Sequence, residues 1–243
     1  MRAHPDPQST RSGRRDELAA NLAAVQARIA AACSSAGRSA DEVTLIAVTK
    51  TFPASDVRIL ADLGQLDVGE NRDAEAASKA ADLAAAGIDV RWHFIGQLQR
   101  NKCRSVVGYA DLVHSVDRTR LVTALARVVP GPEARQDVLI QVSLDDDEDR
   151  GGVPVGRLEE LVSSVLEQEV LRLRGLMAVA PLGVDPDRAF GTLAERAAWL
   201  RSVVPDAGIV SAGMTADLEQ AIAHGATHVR VGGGLLGRRA TLG

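Results

Sequence analysis

Lysine is scarce in this chain. Of 28 lysines and arginines among 243 residues, only Lys50, Lys79 and Lys102 are lysines. Wherever a plain cation suffices the sequence uses arginine, so a lysine in a conspicuous place is a candidate for work that needs an amine. Cysteine is nearly missing as well. Cys33 and Cys103 have no paired or CxxC spacing and no second cluster of metal ligands accompanies them, which suits two reduced thiols in a cytoplasmic protein. There is no excess of basic charge: the formal net charge is −4, which gives no general attraction to nucleic acid or to anionic lipid. No run approaches the roughly 18 apolar residues of a membrane span.

The first 15 residues, MRAHPDPQSTRSGRR, are polar and rich in helix breakers and are expected to form a flexible N-terminal tail. The pair Arg14-Arg15 is not read as an export signal. Acidic Asp16-Glu17 follows it, and then Leu18, Leu22, Val25 and Ile29 recur at helical spacing, whereas an export signal has a uniformly apolar centre. An amphipathic helix is expected there.

Beyond it the chain alternates. Strand-like runs are VTLIAVTK (43–50), LDVGEN (66–71), RWHFIG (91–96), LVHSV (112–116), VLIQVSL (138–144), LRGLMAVA (173–180), GIVSAGM (208–214) and HVRVGGG (228–234). Helix-period stretches such as DAEAASKAADLAAA and GRLEELVSSVLEQEV lie between them. Eight such units, starting 20 to 35 residues apart with no composition break, predict one (β/α)8 TIM-type barrel over 16–243, with an extra N-terminal helix. A doubly wound open sheet is the alternative. In a barrel the chemistry sits at the C-terminal ends of the strands. Lys50 closes the first run, Asn71 the second, Ser211 to Thr215 the seventh, and Gly232 to Gly234 the eighth.

The segment Gly232-Gly233-Gly234-Leu235-Leu236-Gly237 satisfies G-x-G-x-x-G, but a dinucleotide fold needs an acidic residue about 20 positions on, and the sequence has none. What remains is local physics. Small residues let backbone N–H groups approach an anion, and barrels commonly hold phosphate on their last two loops. A tight connection is the plainer use of such a turn. Ser211 and Thr215 add hydroxyls from the preceding loop, with Thr215 placed to N-cap the helix through Leu218 and Ile222. Arg230 lies in an apolar run, where a buried guanidinium needs a carboxylate or a ligand; taken alone, a structural ion pair is expected. His93 and His114 are read as satisfied core histidines, Leu193, Trp199 and Leu200 as helix packing, and DDDED (145–149) as a solvated loop rather than a metal site. A desolvated lysine amine attacks aldehydes, so an amine, a phosphate cradle and an internal arginine together suggest a phosphorylated aldehyde, with pyridoxal 5′-phosphate the obvious candidate.

With these residues assembled, the chain resembles the pyridoxal phosphate homeostasis protein family, single-domain relatives of the alanine racemase barrel. The matching stretches run in family order over nearly the whole chain: AVTKTFP (47–53), VGEN (68–71), WHFIGQLQRNK (92–102), HSVDR (114–118), RGLMAVAP (174–181), SAGMTADLEQAI (211–222) and VRVGGGLLG (229–237). The resemblance implies that Lys50 carries pyridoxal phosphate as an internal aldimine, with Asn71 beside the ring. It further implies that Ser211 and Thr215, with backbone around Gly232 and Gly233, hold the phosphate, and that Arg230 faces the pyridine nitrogen. Three departures stand out: the family usually has threonine at Gly233, serine at Thr215 and methionine at Ala212.

The resemblance also implies a carrier that keeps the cofactor available, with apo-enzymes as partners, rather than a catalyst. A two-base racemase needs a tyrosine opposite the lysine, and the sole tyrosine, Tyr109, precedes the fourth strand at the far end of the barrel. The racemases' additional β-domain is not expected, since the eighth strand lies at the end of the sequence, and a lone barrel suggests a monomer. A pyridoxal phosphate enzyme acting on amino acids and a Schiff-base aldolase acting on a phosphosugar are the rival readings.

Overall fold

A computed structural model describes residues 7–145, 151–181 and 183–237. Among these residues there are nine parallel strands: β1 (Thr44–Val48), β2 (Asp67–Glu70), β3 (Arg91–Phe94), β4 (Leu112–Val116), β5 (Gln136–Ser143), β6 (Val153–Pro154), β7 (Leu171–Met177), β8 (Ile209–Ser211) and β9 (His228–Val231). Eight of them close a ring. β1 pairs with β2 on one side and β9 on the other, and the β4–β5 pairing completes the circuit. The short β6 lies outside the ring, paired only with the end of β5. The helices are α1 (Pro7–Ser35), α2 (Ala54–Asp62), α3 (Asp73–Ala85), α4 (Cys103–Val107), α5 (Thr119–Ala126), α6 (Leu158–Leu166), α7 (Pro186–Val203), α8 (Leu218–Ala223) and α9 (Gly233–Leu236).

The eight expected strands are the eight of the ring, so the closed barrel replaces the open-sheet alternative. β2 and β4 are buried at every position, as strands covered on both faces should be. Leu193 and Leu200 of α7 are buried and Trp199 packs beside them, as their spacing indicated.

The amphipathic helix exists but starts earlier than expected. α1 begins at Pro7, within the stretch read as a tail, and Arg14 is fixed by Asp56, to which its Nη2 donates at 2.6 Å. That anchor offsets the roughly 1 kcal/mol that a mid-helix glycine such as Gly13 costs. Residues 1–6 lie outside the described ones. Leu18, Leu22, Val25 and Ile29 are buried against Leu218 and Ile222 of α8 and Leu235 and Leu236 of α9. Each such burial is worth about 1.5–3 kcal/mol. The polar edge of α1 then reaches the final loops: Asn21 Nδ2 donates to the Leu235 carbonyl at 2.9 Å, and Arg28 Nη2 to the Thr215 carbonyl at 3.0 Å. The extra helix thus fixes the position of the glycine turn. No helix among the described residues is long and apolar enough to cross a membrane.

Candidate functional site

The C-terminal rim gathers Lys50, Asn71, Thr215 and the glycine turn. Lys50 follows β1 by two residues, in step with Ile46 and Val48, whose side chains crowd Gly69 of the neighbouring strand. Lys50 is half-buried and makes no hydrogen bond or ion pair among the described residues. Its flanks, in contrast, are pinned. Lys79 on α3 is buried, and its Nζ donates to the Thr49 carbonyl (2.8 Å), Glu70 Oε1 (2.7 Å) and Glu75 Oε1 (2.6 Å). Thr49 Oγ1 donates to Glu70 Oε1 at 2.7 Å, and the Thr51 N–H donates to Glu75 Oε1 at 2.5 Å. Thr51 has φ of 69°, alone among the described non-glycine residues in being left-handed, a conformation that costs a β-branched side chain about 1–3 kcal/mol. Burial raises the Glu70 carboxyl above its ordinary range, offset only in part by the bonds from Lys79 and Thr49.

Asn71 sits just beyond β2, half-buried, and its Oδ1 has no partner among the described residues. A side chain at Gly96 would strike the Asn71 backbone, with its carbonyl 2.2 Å from a Cβ, so the glycine of WHFIG is what lets the two loops share the rim.

Across the mouth, Gly232 lies against Val48 and Gly233 faces open space, while a Cβ at Gly234 would lie 3.5 Å from Thr215 Oγ1. Gly233 and Gly234 open α9, where the first N–H groups lack partners within the helix. Thr215 does not cap α8 as expected. Asp217 takes that position, and its Oδ1 accepts from the Met214 N–H at 2.6 Å, closing the turn after Gly213 with φ of 87°. The Thr215 hydroxyl is left without a hydrogen bond among the described residues, beside the glycine turn.

Ser211 is placed differently. It is fully buried, and its Oγ accepts from Arg230 Nη1 at 2.7 Å and meets His114 Nδ1 at 3.0 Å. β4 and β8 are not neighbours in the ring, so this contact passes through the barrel interior. The chain of bonds continues from His114 Nε2 to His93 Nδ1 (2.9 Å), and from His93 Nε2 to Asp67 Oδ1 (3.0 Å), with Arg91 bound to the same carboxylate. The Asp67 carboxylate only accepts, so His93 carries its proton on Nε2. The donor and acceptor roles between His93, His114 and Ser211 follow the tautomers of the two rings, while Arg230 donates to Ser211 at the far end. Burial drives His114 well below its ordinary value, as the neighbouring positive groups also do, consistent with the neutral form. For Asp67 burial acts upward, but hydrogen bonds from His93 and Arg91 outweigh it and hold the carboxyl well below the usual range.

Arg230 does not form the ion pair expected of it. Its partners are Ser211 Oγ and the Ala178 carbonyl (2.9 Å), with no carboxylate in contact among the described residues, and burial lowers it to about 10, opposed in part by the charge of Asp217. A buried guanidinium with no carboxylate in direct contact is costly to the fold unless a ligand meets it.

The residues that sequence reasoning passed over are Glu70, Glu75 and Lys79 behind Lys50, and the His93–His114 pair as a relay rather than as core filler. Lys79 carried a signal, as one of three lysines. Tyr109 packs edge-on against Trp92, with centroids 6.4 Å apart, in the layer between the barrel and the helices. Of DDDED (145–149), residues 146–149 lie outside the described ones. No group of three or more metal-ligating side chains occurs among the described residues.

The alanine racemase N-terminal domain model matches residues 18–240. A pyridoxal phosphate homeostasis protein of Mycobacterium tuberculosis is 45% identical over 98% of this chain and 96% of its own, and one of Escherichia coli is 39% identical over 92% and 97%. PipY of Synechococcus elongatus, solved with PLP bound, superposes with a TM-score of 0.78 at 34% identity over 90% of this chain and all of its own. By matched length, motif order and barrel architecture, the chain belongs to the pyridoxal phosphate homeostasis protein family.

Proposed function

We propose that this chain binds pyridoxal 5′-phosphate through Lys50 and acts in intracellular cofactor homeostasis, holding and releasing the cofactor rather than racemising amino acids. The observation that supports the reading is a division of labour at one end of the barrel: a lysine amine, a threonine hydroxyl and a glycine turn that follow the strand ends, the first two without partners among the described residues, and a buried arginine in contact with no carboxylate among them. These groups suit the cofactor's aldehyde, phosphate and ring nitrogen respectively, which is the fit expected of the resident group. When bound, the cofactor supplies an electrophilic aldehyde carbon.

Lys50 supplies the nucleophile. Thr215 and the N–H groups of Gly232 to Gly234 hold the phosphate. Asn71 presents its free Oδ1 beside the ring. Ser211, placed with the phosphate ligands by the family resemblance, is given another part here: fully buried, with its Oγ between Arg230 and His114, it orients Arg230. Arg230 only donates, so it leaves the ring nitrogen unprotonated and the ring a weaker electron sink. Racemisation needs a second acid on the opposite face of the substrate. The sole tyrosine, packed against Trp92 outside the barrel, does not supply it.

Titration with pyridoxal phosphate should develop a visible band, and the loaded protein incubated with L-alanine should yield no sustained D-isomer on chiral chromatography. Turnover that disappears with Lys50→Ala would make this an enzyme. A protein that never colours would end the cofactor reading altogether and favour an aldolase lysine.

A further inference from the structure

Two lysine amines lie close to one rim, and the geometry separates their roles. Lys79 spends all three N–H donors of its ammonium group on Thr49, Glu70 and Glu75, so it has no lone pair to offer an aldehyde. Lys50 has no such partner. The partners of Lys79 are also not arbitrary: they touch the residues on either side of Lys50. The ammonium holds the Thr49 carbonyl directly. Glu70, oriented by the same ammonium, accepts from Thr49 Oγ1. Glu75, shared between the ammonium and the backbone, accepts the N–H of left-handed Thr51.

We infer that Lys79, through Glu70 and Glu75, is a positioning residue that sets the direction in which Lys50 presents its amine at the rim. The inference rests on the cofactor reading above and goes beyond it. A threonine freed from Glu75 relaxes toward negative φ, and because Lys50 is its immediate neighbour the amine swings away from where the phosphate and ring place the aldehyde. Buried Glu70 and half-buried Glu75 both accept from the one Lys79 ammonium, which holds the two carboxylates together, so the brace acts as a unit.

The brace acts on the aldehyde alone, and that gives it a signature a merely structural role lacks. Pyridoxamine 5′-phosphate has the same ring and phosphate but no aldehyde, so it cannot bond covalently to Lys50. Glu75→Ala opens no core, since the Glu75 side chain is partly exposed and belongs to none of the apolar clusters. The affinity of wild type, Glu75→Ala and Lys79→Met for both ligands is measured by titration, with borohydride reduction and peptide mapping of the pyridoxal phosphate adduct. Glu75→Ala is expected to weaken pyridoxal phosphate at least tenfold and pyridoxamine phosphate less than twofold, with Lys79→Met showing the same split or a larger one. Thr51→Gly, which adopts the left-handed conformation without strain, should restore part of the loss in Glu75→Ala. Equal weakening of both ligands, or no weakening, overturns the brace while a wild-type adduct on Lys50 leaves the cofactor reading standing. Absence of that wild-type adduct overturns the cofactor reading itself. Where Lys79→Met fails to fold, Glu75→Ala and its Thr51→Gly rescue decide the matter.

Discussion

Arg230 donates to Ser211 Oγ at 2.7 Å, and Ser211 in turn meets His114 at 3.0 Å, so a serine at a strand end supports an arginine instead of projecting into the mouth of the barrel. This single relationship changes what substitutions on the last two loops should do.

Thr215→Ala should weaken pyridoxal phosphate much more than unphosphorylated pyridoxal, because it deletes a hydroxyl with no other partner. A hydrogen bond to a charged group is worth about 1.5–3 kcal/mol, or at least tenfold in Kd. Ser211→Ala acts through Arg230 and should weaken both ligands to a similar extent. Paired titrations check this, and a phosphate-selective loss in Ser211→Ala would return Ser211 to the cradle.

Gly233→Thr should tighten phosphate binding. Nothing lies within 4 Å of a Cβ at Gly233, and its backbone is not left-handed, so the larger side chain fits without strain. One added donor is worth about 1 kcal/mol, roughly fivefold in Kd. Unchanged affinity for pyridoxal, read in the same titration, would confirm that the gain is at the phosphate.

Arg230→Met should stabilise the protein while weakening the cofactor. An internal guanidinium without a carboxylate is a cost to folding, and apolar replacement of buried charge is often neutral or stabilising by about 1–4 kcal/mol. Thermal melts of both proteins without added cofactor would show an equal or higher Tm for the variant. A clear drop would mean that the Ser211 and Ala178 bonds outweigh desolvation.

Much of this arrangement was legible in the sequence, and the exceptions share a cause. Strand positions and the rim location of Lys50 and the glycine turn follow from local periodicity and from the barrel's rule that strand ends carry chemistry. The relay was not legible: His114 and Ser211 are 97 residues apart, and nothing local tells a core histidine from a relay member. The brace was hidden for a similar reason, since Lys79 lies 30 residues from the Thr49 carbonyl that it holds. Thr215 and Asp217 both had the chemistry of a cap, and only the turn at Gly213 decides between them. β6 is two residues long, too short for any periodicity.

Acid should destabilise the fold in a window set by the interior histidines. Burial lowers His228 to about 4 and His114 well below its ordinary value, so the unfolded chain takes up protons that the folded one refuses. Stability from this source is fully present above about pH 6.5 and is lost as pH falls toward the folded values, at about 1.4 kcal/mol for each unit of separation. His228→Gln should flatten the fall between pH 7 and pH 4.5 in urea unfolding. Parallel curves for the two proteins would show that His228 titrates normally.

The most direct test is to identify the lysine that holds the cofactor. Wild type loaded with pyridoxal phosphate, reduced with borohydride and digested should give one pyridoxyl peptide, modified at Lys50. Lys50→Ala should keep its fold, since a truncated rim lysine opens no core cavity, and should neither colour nor trap the label. A principal adduct on Lys79 or Lys102, or colour that survives Lys50→Ala, would contradict the assignment of Lys50 as the amine that this site is built to present.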